Sequence, residues 1–159
     1  MQLRDRTIDF SKFADALGNG RDIIGVYYYT ALLDRKYDET RYWKQQKFFS
    51  ELKRIPKFHI MLSSMRKVKY RGGQIGFYVK GDDIQLVTDM LSFAYENKYE
   101  SAILVSGDGD FVPAVKKVRM LGKGVENAYF LISSSRVLRD ACDRGVLLGK
   151  TFIEKCLKR

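Results

Sequence analysis

One histidine, two cysteines and two prolines are all that the 159 residues contain of those types, and no apolar run approaches 18 residues. Each scarcity excludes something. A lone His59 argues against His-based zinc chemistry and against a Ser-His triad. Cys142 and Cys156 form neither a disulfide framework nor a metal-ligand spacing, which suits a reducing cytosol and a cytoplasmic protein. The short apolar runs exclude a transmembrane helix. The opening Met1-Gln2-Leu3-Arg4-Asp5-Arg6 leads into no apolar stretch of the kind a secretory signal needs. Acid is also scarce: 19 Asp and Glu stand against 29 Lys and Arg, a net charge of +10. That excess favours a polyanionic partner, nucleic acid before membrane, and no membrane partner is expected. What remains is 45% hydrophobic and 30% charged, the balance of a globular chain with a core of real depth. No repeat or linker interrupts it, so one domain over residues 1–159 is expected.

The acid deficit is local. Between Leu52 and Gly81 there is no Asp or Glu, while Lys53, Arg54, Lys57, Arg66, Lys67, Lys69, Arg71 and Lys80 all fall there. Tyr70, Phe77 and Tyr78 lie among the cations, and aromatic faces beside cations suit a single-stranded nucleic acid. The bland alternative is a solvated basic surface; the length of the run favours phosphate binding.

Strands alternate with helices along the chain. Ile23–Tyr29, Phe58–Leu62, Ser101–Val105 and Val125–Phe130 read as buried strands, with a weak strand at Val146–Leu148. Helices are expected over Glu39–Arg54 with Asp38 as cap and Pro56 as stop, over Asp83–Tyr95, and over Phe111–Leu121 with Asp110 as cap. Short helical stretches follow at Leu138–Cys142 and Phe152–Leu157, and Gly72-Gly73 marks a hairpin or loop within Lys67–Val79. This alternation predicts a three-layer α/β fold, a parallel sheet flanked by helices.

In such folds the chemistry sits beyond the carboxyl ends of the strands. There the chain reads Ser106-Gly107-Asp108-Gly109-Asp110-Phe111, two aspartates two apart on a glycine-bearing turn. Lys80-Gly81-Asp82-Asp83 opens the preceding helix with two more. Clustered carboxylates repel, and a hard divalent cation such as magnesium or manganese is the usual means of keeping them ionised together. A metal of this kind activates water and stabilises a phosphodiester in flight. Each acid alone is as well explained as a helix cap. Asp89, six residues beyond Asp83, lies off that residue's helix face and is a secondary candidate. His59, in an apolar strand, reads as a core or edge histidine rather than a catalyst.

The segment Val105-Ser106-Gly107-Asp108-Gly109-Asp110-Phe111-Val112-Pro113 closely resembles the SGDxDFxP signature of the NYN domain, in the LabA-like branch of the PIN-like nuclease superfamily. The family's KGVD…D segment is matched by Lys80-Gly81-Asp82-Asp83 and Asp89. Val26–Tyr29, the start Ile8–Phe13 and the closing Leu138–Asp143 match as well, so the resemblance covers nearly the whole chain. It implies a Rossmann-like fold and, where activity is present, metal-dependent cleavage of RNA with Mg2+ or Mn2+. It places Asp83, Asp108 and Asp110 in the acidic positions and Ser106 beside them. Lys80, Arg66, Lys67, Lys69 and Arg71 become the phosphate-contact candidates. Two departures follow. Asp82 stands where the family has an apolar residue, either as a replacement ligand or as an exposed side chain. The family's first strand, whose terminal aspartate is a ligand, has no counterpart before Ile8. The expectation is therefore a sheet lacking one central strand, covered by a partner chain or by a second copy, with weakened catalysis and a nucleic-acid-binding or regulatory role as the alternative function.

Overall fold

The computed structural model describes residues 7–69, 71–73 and 75–158. Its elements run α1 (Phe10–Gly18), β1 (Val26–Leu32), α2 (Glu39–Leu52), β2 (Phe58–Lys69), β3 (Ile75–Lys80), α3 (Asp82–Tyr95), β4 (Ser101–Val105), α4 (Val112–Met120), β5 (Gly124–Tyr129), α5 (Arg136–Ala141), β6 (Arg144–Leu147) and α6 (Lys150–Lys155). The architecture is mixed α/β, with parallel strands flanked by helices, as the alternation predicts. The strands form two three-stranded sheets, in the orders β1-β2-β3 and β4-β5-β6. The chain divides into two compact units, Met1–Ile24 with Val87–Arg159, and Gly25–Leu86.

The first unit holds the all-parallel sheet, with Ser101 opposite Gly124 and Glu126 opposite Arg144. Its centre is apolar. Val115 and Val118 on α4, Val125 and Ala128 on β5, Leu138 on α5 and Cys156 are withdrawn from solvent. At α1 and α6 a second cluster joins Leu17, Ala128 and Leu148 to Phe13 and Phe152, whose rings meet edge to face at 5.9 Å. Helix α1 was not expected as an element. Asp9 starts it by accepting the backbone N–H groups of Ser11 and Lys12 at 3.1 and 3.2 Å, an N-cap worth about 1 kcal/mol. The buried Glu126 carboxylate receives the Arg21 guanidinium at 2.6 and 3.1 Å, which ties the residues after α1 to β5. That bond holds Arg21 above its ordinary pKa, with desolvation opposing.

In the second unit β1 runs parallel to β2, Tyr28 opposite Ile60. β2 then turns back through Gly72 and Gly73, both at positive φ, into antiparallel β3, with Ser64 opposite Lys80. Of the two alternatives for that stretch, hairpin or loop, the chain takes the hairpin. Asp38 caps α2 as expected, accepting the Arg41 N–H at 2.8 Å. Phe49 and Leu52 are buried, and Phe48 meets Tyr28 edge to face at 5.9 Å. Gln45 fixes the end of β1, donating to the Ala31 carbonyl at 2.8 Å and accepting the Leu33 N–H at 2.9 Å.

Three local expectations are corrected. The first strand starts at Val26, not Ile23: its pairing opens with the Val26 N–H on the Lys57 carbonyl at 2.9 Å, and Ile24 is exposed rather than core. Helix α3 begins one residue early, and of the residues whose spacing predicts an apolar stripe on it, Ile84, Val87, Leu91 and Ala94, the first projects into solvent. His59 is exposed and stacks on Tyr27 with ring centroids 4.8 Å apart, a cross-strand pair in register.

Candidate active site

The chain leaves β4 at Val105 and turns at once. Ser106 Oγ accepts the Asp108 N–H at 3.1 Å, and Asp108 Oδ1 accepts the Asp110 N–H at 2.9 Å. These local bonds wind Gly109–Phe111 into a 3-10 turn that feeds α4, with Pro113 in its first turn. The cap is thus Asp108 and not Asp110, and α4 itself has no side-chain cap. Phe111 is buried and anchors the turn from below, while Asp108 and Asp110 stay exposed.

Two further contacts lock this turn. Asn127 on β5 is fully buried, and its Nδ2 donates to the carbonyls of Leu104 at 3.1 Å and Ser106 at 2.8 Å. Carbonyls only accept, so the amide orientation is fixed. Its Oδ1 has no hydrogen-bond partner among the described residues. On the other side lies the segment Ser133–Ser135. The Ser135 N–H donates to the Gly107 carbonyl at 2.8 Å. A Cβ at position 107 would fall 1.6 Å from the Ser133 carbonyl oxygen, so only glycine fits. A Cβ at 109 would fall 2.9 Å from Ser135 Oγ, the atom that caps α5 at Leu138 N.

The second acidic pair belongs to the other unit. Leu32 at the end of β1 is opposite Ser64, and Ser64 is opposite Lys80, so Lys80-Gly81-Asp82-Asp83 turns level with the carboxyl end of β1. Gly81 takes φ +92 and accepts the Gln85 N–H at 2.9 Å. Asp82 and Asp83 occupy the first turn of α3, where the helix N-terminus favours negative charge. Asp82 is half-buried and Asp83 exposed; Asp89 lies further along α3, half-buried.

The structure therefore brings Asp108 and Asp110 together on one turn, and Asp82 and Asp83 together on another. Within neither unit do three or more His, Cys, Asp or Glu side chains, among the described residues, gather as metal ligands. Two exposed hard carboxylates on one turn still match magnesium, which keeps several waters and is commonly held by one or two carboxylates with substrate phosphates. Of the phosphate-contact candidates, Arg71 is exposed at the hairpin turn. The side chains of Arg66, Lys67, Lys69 and Lys80, and the aromatic Tyr70, Phe77 and Tyr78, lie outside the described residues. Among the described residues no helix is long and apolar enough to cross a membrane. The sequence reading passed over Asn127 and Ser133–Ser135. The signals for them were a polar residue within an apolar strand and a run of three serines before an Arg-Val-Leu helix start.

The NYN domain family matches the chain over residues 1–148. A solved crystal structure of a protein of unknown function from Vibrio parahaemolyticus is similar, with TM-score 0.66 and 24% identity over 96% of this chain and 83% of that one. At that identity the likeness speaks for the fold. No curated protein matches.

Proposed function

We propose, from the premise that this chain belongs to the NYN domain family, that it is a divalent-metal-dependent ribonuclease acting on RNA phosphodiesters in the cytoplasm. The observation that supports it most is the turn after β4. Two carboxylates are held exposed at the carboxyl end of a parallel strand by bonds that leave the turn little freedom. Asp108 and Asp110 are the proposed holders of Mg2+ or Mn2+, and the resemblance to the family proposes Asp83, at the start of α3, for the same role. Asp82 is the additional carboxylate next to Asp83. When bound, the cation supplies charge neutralisation for the scissile phosphate and a more acidic water. The protein's own part is positional. Ser106 holds the Asp108 backbone, and the Asp108 carboxylate holds that of Asp110, so the backbone carrying both carboxylates is positioned before substrate arrives. Preorganised charge of this kind needs no rearrangement during the reaction. The cations of the acid-free stretch, Arg66, Lys67, Lys69, Arg71 and Lys80, are the proposed contacts to flanking phosphates.

One observation favours a second reading. Neither unit alone gathers three carboxylates among the described residues, and fewer charged ligands hold a hard cation more weakly. The chain then serves as an RNA-binding or regulatory module with weakened catalysis, working with a second copy or a partner chain. The test is a labelled single-stranded RNA incubated with manganese, and with EDTA in its place. Cleavage that needs manganese and disappears in Asp108→Asn supports the nuclease. Salt-sensitive binding without cleavage supports the module. Cleavage undiminished in Asp108→Asn refutes the site.

A further inference from the structure

Strand β2 outruns the strand beside it. Its pairing with β1 ends where Leu32 stands opposite Ser64, while its pairing with β3 runs on from Ser64 opposite Lys80 to Lys69 opposite Ile75. Beyond β1, Met65–Lys69 and Ile75–Val79 therefore form a ribbon of two strands, about 17 Å long at roughly 3.4 Å per residue. No third strand joins it among the described residues. Its tip is open. At Gly72 and Gly73 nothing lies within 4 Å of where a Cβ would stand, and Arg71 beside them is exposed.

From Ser64 to Lys80 the chain has Arg66, Lys67, Lys69, Arg71 and Lys80 and no acid. The register sets a neutral residue opposite each cation of the strands: Tyr78 opposite Arg66, Phe77 opposite Lys67, Ile75 opposite Lys69 and Ser64 opposite Lys80. It therefore offers no cross-strand pair of opposite charge. A two-stranded ribbon by itself is marginally stable in water at best, and crowded like charge adds to that cost. A polyanion removes it. The register also says what shape of polyanion. Successive strand residues alternate between faces, so positions 66 and 80 share one face and positions 67 and 69 the other. A flat anionic surface such as a membrane meets one face and leaves the second in water. A groove with two phosphate walls meets both.

We propose that the β2–β3 ribbon binds double-stranded DNA by lying in its major groove, with its cations toward the phosphates on either side. The major groove of B-form DNA is about 12 Å wide and admits a two-stranded ribbon. The corresponding groove of duplex RNA is deep and narrow, and a single strand offers no pair of walls. The Gly72-Gly73 tip brings no side-chain bulk to the end that enters, so its backbone can approach closely. The proposal goes beyond the nuclease reading and does not rest on it. RNA would compete for the same cations, and the test ranks the two.

The test uses the full chain in EDTA, so that binding is read without cleavage. Fluorescence anisotropy is measured with a labelled DNA duplex of roughly 16 base pairs, longer than the ribbon at about 3.4 Å per base pair. The same sequence is offered as duplex RNA and as single strands, and vesicles of phosphatidylserine and phosphatidylcholine in equal parts are offered as competitor. The DNA duplex should bind about 10-fold or more tighter than duplex RNA or either single strand. Five phosphate contacts predict a log–log salt slope of about −4.5, hence a loss of about 500-fold between roughly 50 and 200 mM salt. Combining Arg66→Gln, Lys67→Gln and Lys69→Gln should flatten that slope to about −1.8 and leave the melting temperature at or above the parent's, since like charge is removed. Arg71→Gln lies at the tip, outside both strands, and should flatten the slope by about 0.9 even if the triple variant fails to fold. Bulky substituents at C5 of the pyrimidines fill the major groove and should weaken binding, whereas netropsin in the minor groove should not. RNA bound as tightly as the DNA duplex overturns the proposal, and so do vesicles that displace the DNA. A parental slope in folded variants, or indifference to the C5 substituents, overturns it as well. DNA binding of the expected kind without manganese-dependent RNA cleavage removes only the nuclease reading; cleavage without DNA binding removes only this one.

Discussion

Two places in the molecule put a pair of aspartates just past a strand, and they are built in opposite ways. After β4, the turn Ser106–Asp110 is held from three sides: by its own Ser and Asp side chains, by the buried Asn127 and by the Ser133–Ser135 backbone. After β3, Lys80–Asp83 turns on Gly81, with nothing within 4 Å of where a Cβ would stand. The first turn is fixed by packing and the second by backbone conformation. In the first, geometry should survive loss of any one weak contact but not intrusion of volume. In the second, volume should be harmless and only the dihedral angle should count.

The largest expected effect comes from forcing volume into the packed turn. In Gly107→Ala the new methyl meets a backbone oxygen, which no rotamer change relieves. Either the turn or the Ser133 segment must move, at a cost of about 3 kcal/mol or more. Thermal unfolding should show the loss. Manganese-dependent cleavage should fall further than stability does, because the carboxylates move with the turn. A variant with parental stability and activity would show that the two segments are not in firm contact.

Asn127→Ala comes next. It leaves the Leu104 and Ser106 carbonyls without their buried donor, a loss of about 2–3 kcal/mol. Asn127→Asp should be no better, because a carboxylate offers those carbonyls no hydrogen at neutral pH. Equal melting temperatures for parent and Asn127→Ala would mean that the turn holds without its buried support.

The contrast also explains what could be read from the sequence. Strand Ser101–Val105 fell on its predicted residues, and the Asp38 cap and the acidic turn were legible, because each rests on signals within a few residues of itself. Failures came where a distant partner decides. Ile23 has the composition of a strand residue, yet its side chain approaches within 2.8 Å of where a Gly18 Cβ would stand, and β1 waits for the Lys57 carbonyl. Asp110 looked like the helix cap because it immediately precedes Phe111. A 3-10 turn intervenes and gives the role to Asp108. The clamp of Asn127 and Ser133–Ser135 is made by residues roughly twenty to thirty positions away from the turn it holds, and no local pattern announces such a contact.

Alkali should separate the two units. Burial pushes the Cys142 thiol up to about 11, with Asp143 adding to the shift and Arg119 opposing it. Burial likewise pushes Tyr99 up to about 12 and raises Cys156. All three belong to the first unit. In the unfolded chain the thiol loses its proton near 9.0, while the folded thiol keeps it, so the unfolded state binds fewer protons above that pH. The contribution is fully present below pH 9 and is lost as pH rises toward 11, on the order of 2 kcal/mol for Cys142. Trp43, the chain's one tryptophan, lies in the second unit and reports on it by fluorescence. Amide exchange across β4 and β5 should accelerate between pH 9 and 11, beyond the intrinsic rate, before the Trp43 signal changes. The reverse order would contradict the assignment of the strain to the first unit.

The smallest effect tests the open turn. Gly81 sits at φ +92, beyond the left-handed region that Asn tolerates best, and an L side chain there is strained whatever the space around it. Gly81→Ala should therefore cost about 1 kcal/mol from the dihedral alone. For a chain of this size that lowers the melting temperature by roughly 2–4 °C. Gly81→Asn should lose less, since Asn accepts positive φ more readily. At the packed turn the ranking inverts: Gly107→Asn should be at least as damaging as Gly107→Ala, because there the obstacle is the Ser133 oxygen and a larger side chain only adds to it. Measuring the four variants side by side separates conformational strain from steric exclusion. Should Asn relieve the defect at both glycines, the packed turn would be governed by its dihedral after all, and the distinction between the two acidic turns would fall.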